Sequence, residues 1–249
     1  MSRIVLSAAS RVGCVRTNNE DMVLAYDKMI RGEAYATEFM TEYLDRFVIA
    51  LADGMGGHNA GEVASDLALT NLRYFIHDLP KGLASGEFQE MMTEWLQSIN
   101  KAMNARGRFD PSTKEMGTTL VGVLYYNEKY YWVNCGDSRL YRLRDGVLKQ
   151  LTVDHSLNTM VGQARHSNII TNCIGAGCKH SYMDMFEFTA DVLPADTYLL
   201  CSDGLNDMIT DEEIQSLMKD GASANRLCEA AIEAGGYDNV STCVFKIHS

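Results

Sequence analysis

The sequence predicts an α+β fold with mainly antiparallel sheet, and three features of its 249 residues carry that expectation. Apolar runs of strand length end in Asp-Gly pairs, and two longer stretches show helical stripes. The strand-like segments also gather around the helices, where parallel βαβ units would require regular alternation.

Taken in order, residues 4–10 and 22–26 are short, partly alternating strand candidates separated by a turn. Residues 27–46 admit either a short helix through Phe39, Tyr43 and Leu44 or a hairpin extension. Residues 47–52 are apolar throughout, as expected of a strand buried on both faces. Val63, Leu67, Leu72, Phe75, Ile76 and Leu79 make one helical stripe, and Phe88, Met91, Met92, Trp95, Ile99 and Met103 a second. The second reads as core packing, since methionine fills irregular gaps. Residues 118–152 read as an antiparallel meander, divided at Asn127-Glu128, Cys135-Gly136 and Asp145-Gly146. After an irregular stretch come strands near 183–189 and 197–202, helices near 211–219 and 224–234, and a last strand at 241–247.

With 46% hydrophobic residues, three prolines and no linker-like segment, residues 1–249 are expected to form one domain. The net charge of -11, without a basic cluster in the sequence, argues against nucleic acid or an anionic membrane as partner. No segment approaches the roughly 20 apolar residues of a membrane span, and no signal peptide is recognisable, so a cytoplasmic location is expected. The seven cysteines include no CxxC pair and are read as reduced, mostly buried thiols. A cation shared by Cys173 and Cys178 would need two further ligands at a recognisable spacing.

Two apolar strands deliver an acid and a glycine at their exits, Asp53-Gly54 and Asp203-Gly204. Asp238 stands just before the final strand, and Asp137 lies at a turn of the meander. A single Asp-Gly pair is ordinarily a turn, and Asp145-Gly146 is read that way. The joint pattern is different, because two bare carboxylates about 4 Å apart repel by roughly 4 kcal/mol at an effective dielectric of 20. A hard divalent cation, Mg²⁺ or Mn²⁺, would answer that repulsion with carboxylate, carbonyl and water ligands. A glycine after each acid is expected to permit a sharp turn that presents its carbonyl. Nucleotide-loop and other hydrolase motifs are missing: Gly54-x-Gly56-x-x-Asn59 lacks the third glycine of GxGxxG, and no GxxxxGK[ST], GxSxG or HExxH occurs.

These stretches, with others in the same order, resemble the metal-dependent protein serine/threonine phosphatases of the protein phosphatase 2C type in their compact bacterial form. The matching segments are RVGCVRTNNED (11–21), ALADGMGGHNAGEVAS (50–65), GTTL (117–120), VNCGDSRLY (133–141), LTVDHSL (151–157), LLCSDGL (199–205) and GGYDNVST (235–242). The resemblance implies a four-layer α-β-β-α sandwich of two antiparallel sheets flanked by helices. It implies that Asp53 bridges two Mn²⁺ or Mg²⁺ ions, that the Gly54 carbonyl binds one, and that Asp203 and Asp238 complete the other. Glu20 and Asp21 would hold ion-bound waters, Asp137 with Asp203 would hold a third, weaker ion, and Arg16 would grip the substrate phosphate. The chemistry implied is in-line attack of an acidified water on phosphoserine or phosphothreonine, without a covalent enzyme intermediate. Phosphorylated proteins, substrates of a cytoplasmic serine/threonine kinase, would be the partners of a monomeric enzyme.

Two features depart from the family pattern. Animal-type members carry a histidine after the Asp-Gly pair, where this chain has Met55, so the general acid is unassigned; His58 is a weak candidate. The segment 158–168 is shorter than the flap of bacterial relatives, which should open the site, alter substrate choice and weaken the third ion. A catalytically silent phosphoprotein-binding module is the main alternative, opposed by the complete set of acids and Arg16. An enzyme acting on small phosphoesters is another.

Overall fold

In a computed structural model of the chain, which describes residues 2–42, 44–56, 60–161 and 169–248, the apolar run ahead of Asp53 is the strand Arg46–Ala52. It lies inside a sheet ordered Asp184–Glu187, Lys129–Cys135, Leu120–Tyr126, Arg46–Ala52, Met22–Ala25, Lys28–Ile30. Val48, Ala50 and Ala52 pack under the helices Ala60–Asp78 and Ser85–Phe109, whereas Phe47, Ile49 and Leu51 face a second sheet. Two buried faces explain the lack of alternation, and each large side chain so buried contributes about 1.5–3 kcal/mol.

The second sheet runs Val147–Gln150, Arg139–Arg144, Thr197–Cys201, Val240–His248, Arg3–Arg11, Ala34–Met40, with antiparallel neighbours throughout. Ile4, Leu6, Tyr198, Leu200 and Phe245 fill the space between the sheets. Leu199, Cys201 and Val244 point the other way, beneath the helices Asp211–Lys219 and Ala224–Glu233. The first of these helices starts on a reciprocal cap, in which Thr210 N donates to Glu213 Oε2 at 2.8 Å and Glu213 N to Thr210 Oγ1 at 3.3 Å. The result is the expected α-β-β-α sandwich.

Two segments differ from their sequence reading. Residues 27–46 form neither a helix nor a simple hairpin: Lys28–Ile30 pairs with Met22–Ala25, and the chain then crosses to the second sheet, where Ala34–Met40 pairs with Arg3–Arg11. Phe39, which suggested a helical stripe, stacks on Tyr26 at 4.1 Å from across the sandwich; Tyr43 lies outside the described residues. The 118–152 stretch is two hairpins in different sheets. Its true turns carry left-handed residue pairs, Asn127 and Glu128 at φ 49° and 64°, Asp145 and Gly146 at 49° and 75°. At Cys135-Gly136 the chain instead leaves the first sheet for the second, and that crossing sets Asp137 at their common edge.

Candidate metal centre

Strand register alone gathers the acids. Met22 pairs with Ala52, so Asp21 and Asp53, one step beyond each, leave the first sheet at the same end. Cys201 pairs with both Thr242 and Arg139, and Val240 with Arg11. Asp203, Asp238 and Asp137 therefore emerge together from the second sheet. Asp53 and Asp203, 150 positions apart in sequence, come close enough for each to shift the other's titration.

The electrostatics follow from crowding these acids where water is scarce. Burial pushes the Asp21 carboxyl up to about 7, against a hydrogen bond from Ser202, with Asp203 and Asp238 adding to the rise. Burial, then Asp203, lifts Asp137 to about 7. Burial, with Asp207 and Asp238, lifts Asp203 to about 6. Asp53 is raised well above its ordinary range, first by burial and then by Asp21, Asp203, Asp137 and Asp238. Glu20 is raised more gently by burial, with Arg16 opposing and a hydrogen bond from Gly61 N holding it at the start of the helix Ala60–Asp78.

The rim is more open. Arg16 Nη2 donates to Asp238 Oδ2 at 2.6 Å, with both side chains partly exposed. The guanidinium expected to grip phosphate is thus held by one of the acids. Asn239 fastens the surrounding loops: its Oδ1 accepts from Glu20 N at 2.8 Å, while its Nδ2 donates to Val12 O at 2.9 Å and Asn18 O at 2.8 Å. Beneath Asp53, Thr119 Oγ1 accepts from Asp53 N at 3.0 Å and lies 2.7 Å from Ser138 Oγ.

Close backbone approach gives the two glycines a purpose beyond the one expected. Neither Gly54 nor Gly204 has a positive φ. A Cβ on Gly54 would stand 2.1 Å from Gly61 O and 2.6 Å from Glu20 O, and one on Gly204 only 1.9 Å from Asn239 O. They let neighbouring backbones close on the acids, where a side chain would force them apart.

Among the described residues, no three His, Cys, Asp or Glu side chains already close around one point as a finished cation shell. The donor set nevertheless suits a hard cation. It is all oxygen, and it includes two buried carboxylate oxygens, Asp21 Oδ1 and Asp137 Oδ1, without a hydrogen-bond partner.

Residues 36–233 match the family model for Protein phosphatase 2C. The chain is 34% identical over 258 residues to the serine/threonine protein phosphatase PstP of Mycobacterium tuberculosis, covering 98% of itself and 46% of that protein. The chain belongs to the protein phosphatase 2C family. It is also 30% identical over 259 residues to the protein phosphatase PhpP of Streptococcus pneumoniae, covering 98% of itself and 97% of that relative. A crystal structure of the PstP catalytic domain in complex with two manganese ions matches over 100% of both chains, at 33% identity and a TM-score of 0.77. The chain spans about half the length of full PstP.

Within this protein phosphatase 2C family member, every acid singled out from the sequence reaches the same end of the sandwich. The sequence alone does not single out Asn239, Thr119 or the serine relay of Ser202, Ser241 and Ser10; all but Ser10 sit in a quoted motif, and for Asn239 and Ser202 adjacency to an acid is the available signal. Ser202 Oγ donates to Asp21 Oδ2 at 2.8 Å and accepts from Ser241 N at 3.0 Å, and Ser241 Oγ donates to Ser10 Oγ at 2.8 Å. His58 and residues 162–168 of the shortened flap lie outside the described residues.

His155 braces the crossing that carries Asp137. Its Nδ1 accepts from Gly136 N at 3.1 Å, its backbone N–H donates to Gly136 O at 2.9 Å, and its Nε2 donates to Asp184 Oδ2 at 3.1 Å. Both ring nitrogens are engaged, which argues against a role as proton donor. His155→Phe, which leaves the Gly136 N–H buried without a partner, is expected to cost about 2 kcal/mol of stability, measurable by urea unfolding.

Proposed function

We propose that the chain is a metal-dependent serine/threonine protein phosphatase acting on phosphorylated proteins, with residues 1–249 as one catalytic unit. The observation that supports it most is the convergence of Asp53, Asp203, Asp238, Asp21 and Asp137 at one end of the sandwich, reached from both sheets. Asp53, the Gly54 carbonyl, Asp203 and Asp238 would hold two Mn²⁺ or Mg²⁺ ions, as two manganese ions are bound in the PstP catalytic domain. Glu20 and Asp21 would orient waters around them, and Asp137 with Asp203 would take a third ion. The bound pair supplies an acidified water and charge stabilisation at the phosphoryl oxygens.

The chain's own residues contribute position and charge. Arg16 is placed to take a substrate phosphate by exchanging its bond to Asp238, whose carboxylate is then free for a cation. Thr119 fixes the Asp53 backbone, and the close approaches at Gly54 and Gly204 keep the acids within a shared low-dielectric pocket. The exposed rim at Arg16 suits a phosphoresidue on a protein surface. A cytoplasmic serine/threonine kinase would supply such substrates, and no helix among the described residues is long and apolar enough to cross a membrane.

Turnover of para-nitrophenyl phosphate tests this reading. Mn²⁺-dependent release of nitrophenol is expected, abolished by EDTA and by Asp203→Asn; a silent phosphoprotein-binding module would show none. Phosphoserine and phosphothreonine peptides should be hydrolysed, and turnover of phosphotyrosine peptides alone would overturn the substrate class.

Metal binding should also be linked to protons. A carboxyl with a raised folded pKa supports the fold below the ordinary carboxylate range and ceases to do so as pH rises through about 6 to 7, the values of Asp203, Asp21 and Asp137. The metal-free cluster is therefore most strained above pH 7, where a cation relieves most repulsion and displaces fewest protons. The rise in melting temperature on adding Mn²⁺ is expected to be larger at pH 8 than at pH 5.5.

A further inference from the structure

The chain carries a net charge of -11, yet a hollow of about 520 Å³ is walled by Lys101, Arg108, Lys114 and Lys179, with Glu115 as its one carboxylate. Many cations elsewhere are answered, among them Arg16 by Asp238, Arg139 by Asp154, Arg144 by Asp196 and Lys129 by Glu187. Among the described residues, no carboxylate forms an ion pair with Lys101, Arg108 or Lys179, and Lys114 reaches Glu115 only at 3.9 Å. Arg108 in the last turn of Ser85–Phe109 offsets the negative helix end. That does not account for Lys101, nearly two turns earlier, or for Lys114 and Lys179 on other segments. Like charges gathered without partners repel, and an anion would relieve them.

The frame holding these cations is fixed. Asn100, itself buried, donates to Cys178 O at 3.0 Å and accepts from Gly175 N at 2.8 Å; Asn104 donates to Cys178 O at 2.9 Å and accepts from Gly177 N at 2.9 Å. These bonds clamp Gly175, Ala176 and Gly177, at φ 82°, 48° and 76°, onto the helix. The hollow also adjoins the metal centre. Its wall residue Met116 lies three positions before Thr119, whose N–H donates to Asp53 O at 2.9 Å. Three residues of chain span at most about 11 Å. An extended peptide whose phosphoresidue reached the acids would bring a residue three to five positions away to the hollow.

We infer that this hollow docks an acidic segment of the phosphoprotein substrate, three to five residues from the phosphoserine or phosphothreonine being hydrolysed. The inference rests on the phosphatase reading above. It gives an acidic protein a means of attracting acidic substrates to one orientation, since exposed charges steer and align more than they hold.

The test compares phosphothreonine peptides that differ only in carrying Glu or Gln at positions three to five residues from the phosphothreonine, in one pair on the N-terminal side and in another on the C-terminal side. For the unaltered protein, the Glu peptide of one pair is expected to be favoured about tenfold in kcat/KM, mainly through KM, with the preference fading as salt rises. In K101Q/R108Q/K179Q the ratio should fall to about one, and in the single exposed variant Lys179→Glu it should drop by roughly threefold. Para-nitrophenyl phosphate, too short to reach the hollow, reports the chemistry of each protein separately. If it is not turned over, the phosphatase reading fails, and fluorescence anisotropy with the same peptides still reads the docking. A ratio near one in both pairs for the unaltered protein, or a ratio unchanged in both variants, would overturn the docking site.

Discussion

Asp53→Asn is expected to lower kcat/KM toward phosphopeptides at least about a thousandfold, equivalent to about 4 kcal/mol of lost transition-state stabilisation. The same substitution should stabilise the metal-free protein. Asp53 is half-buried and crowded by Asp21, Asp203, Asp137 and Asp238, each of which raises its pKa. An amide of equal size removes one member of that repelling set. Above pH 7 in EDTA, the melting temperature of Asp53→Asn should therefore exceed that of the unaltered chain, and added Mn²⁺ should reverse the order. Opposite signs for activity and metal-free stability are what a cluster kept for function predicts. A residue kept for packing would lose both together.

Gly204→Ala should have the largest effect on folding. The added methyl would stand 1.9 Å from Asn239 O, so either the turn after Thr197–Cys201 or the start of Val240–His248 must move. We expect a loss of about 3 kcal/mol, or about 10 °C in melting temperature for a chain of this size. Mn²⁺ affinity should fall as well, since Asp203 and Asp238 flank the two displaced backbones. Gly86→Ala is the control: it lies in the first turn of Ser85–Phe109, nothing stands within 4 Å of its added Cβ, and helix propensity predicts a gain of about 0.5–1 kcal/mol.

Asp53, Asp203, Asp238 and Asp137 were legible because each stands at a strand end, which is a local signal, whereas Glu20 and Asp21 came only from the family resemblance. Residues 47–52 also announced a strand buried on both faces, and the stripes from Val63 to Leu79 and from Phe88 to Met103 announced the helices Ala60–Asp78 and Ser85–Phe109. What could not be read depends on partners remote in sequence. The crossing at Cys135-Gly136 looks like a hairpin turn, because nothing local says that Arg139–Arg144 will pair with Thr197–Cys201. The need for Gly204 is set by a carbonyl at Asn239, and that for Gly54 by one at Gly61. The basic hollow draws on a helix, on the segment after it and on the loop ending at Lys179, none of which holds a basic run. The resemblance assigns Arg16 to the substrate phosphate, and its bond to Asp238 emerges only when two loops 222 positions apart meet.

The central claim, that acids from both sheets enclose a pair of hard divalent ions, is tested most directly by calorimetric titration of the EDTA-stripped protein with Mn²⁺, alongside Asp53→Asn. Two tight sites per chain are expected, both lost or severely weakened together in the variant, because Asp53 is proposed to bridge them. Absence of Mn²⁺ binding in the unaltered chain, or two sites that survive the loss of Asp53 unchanged, would contradict it.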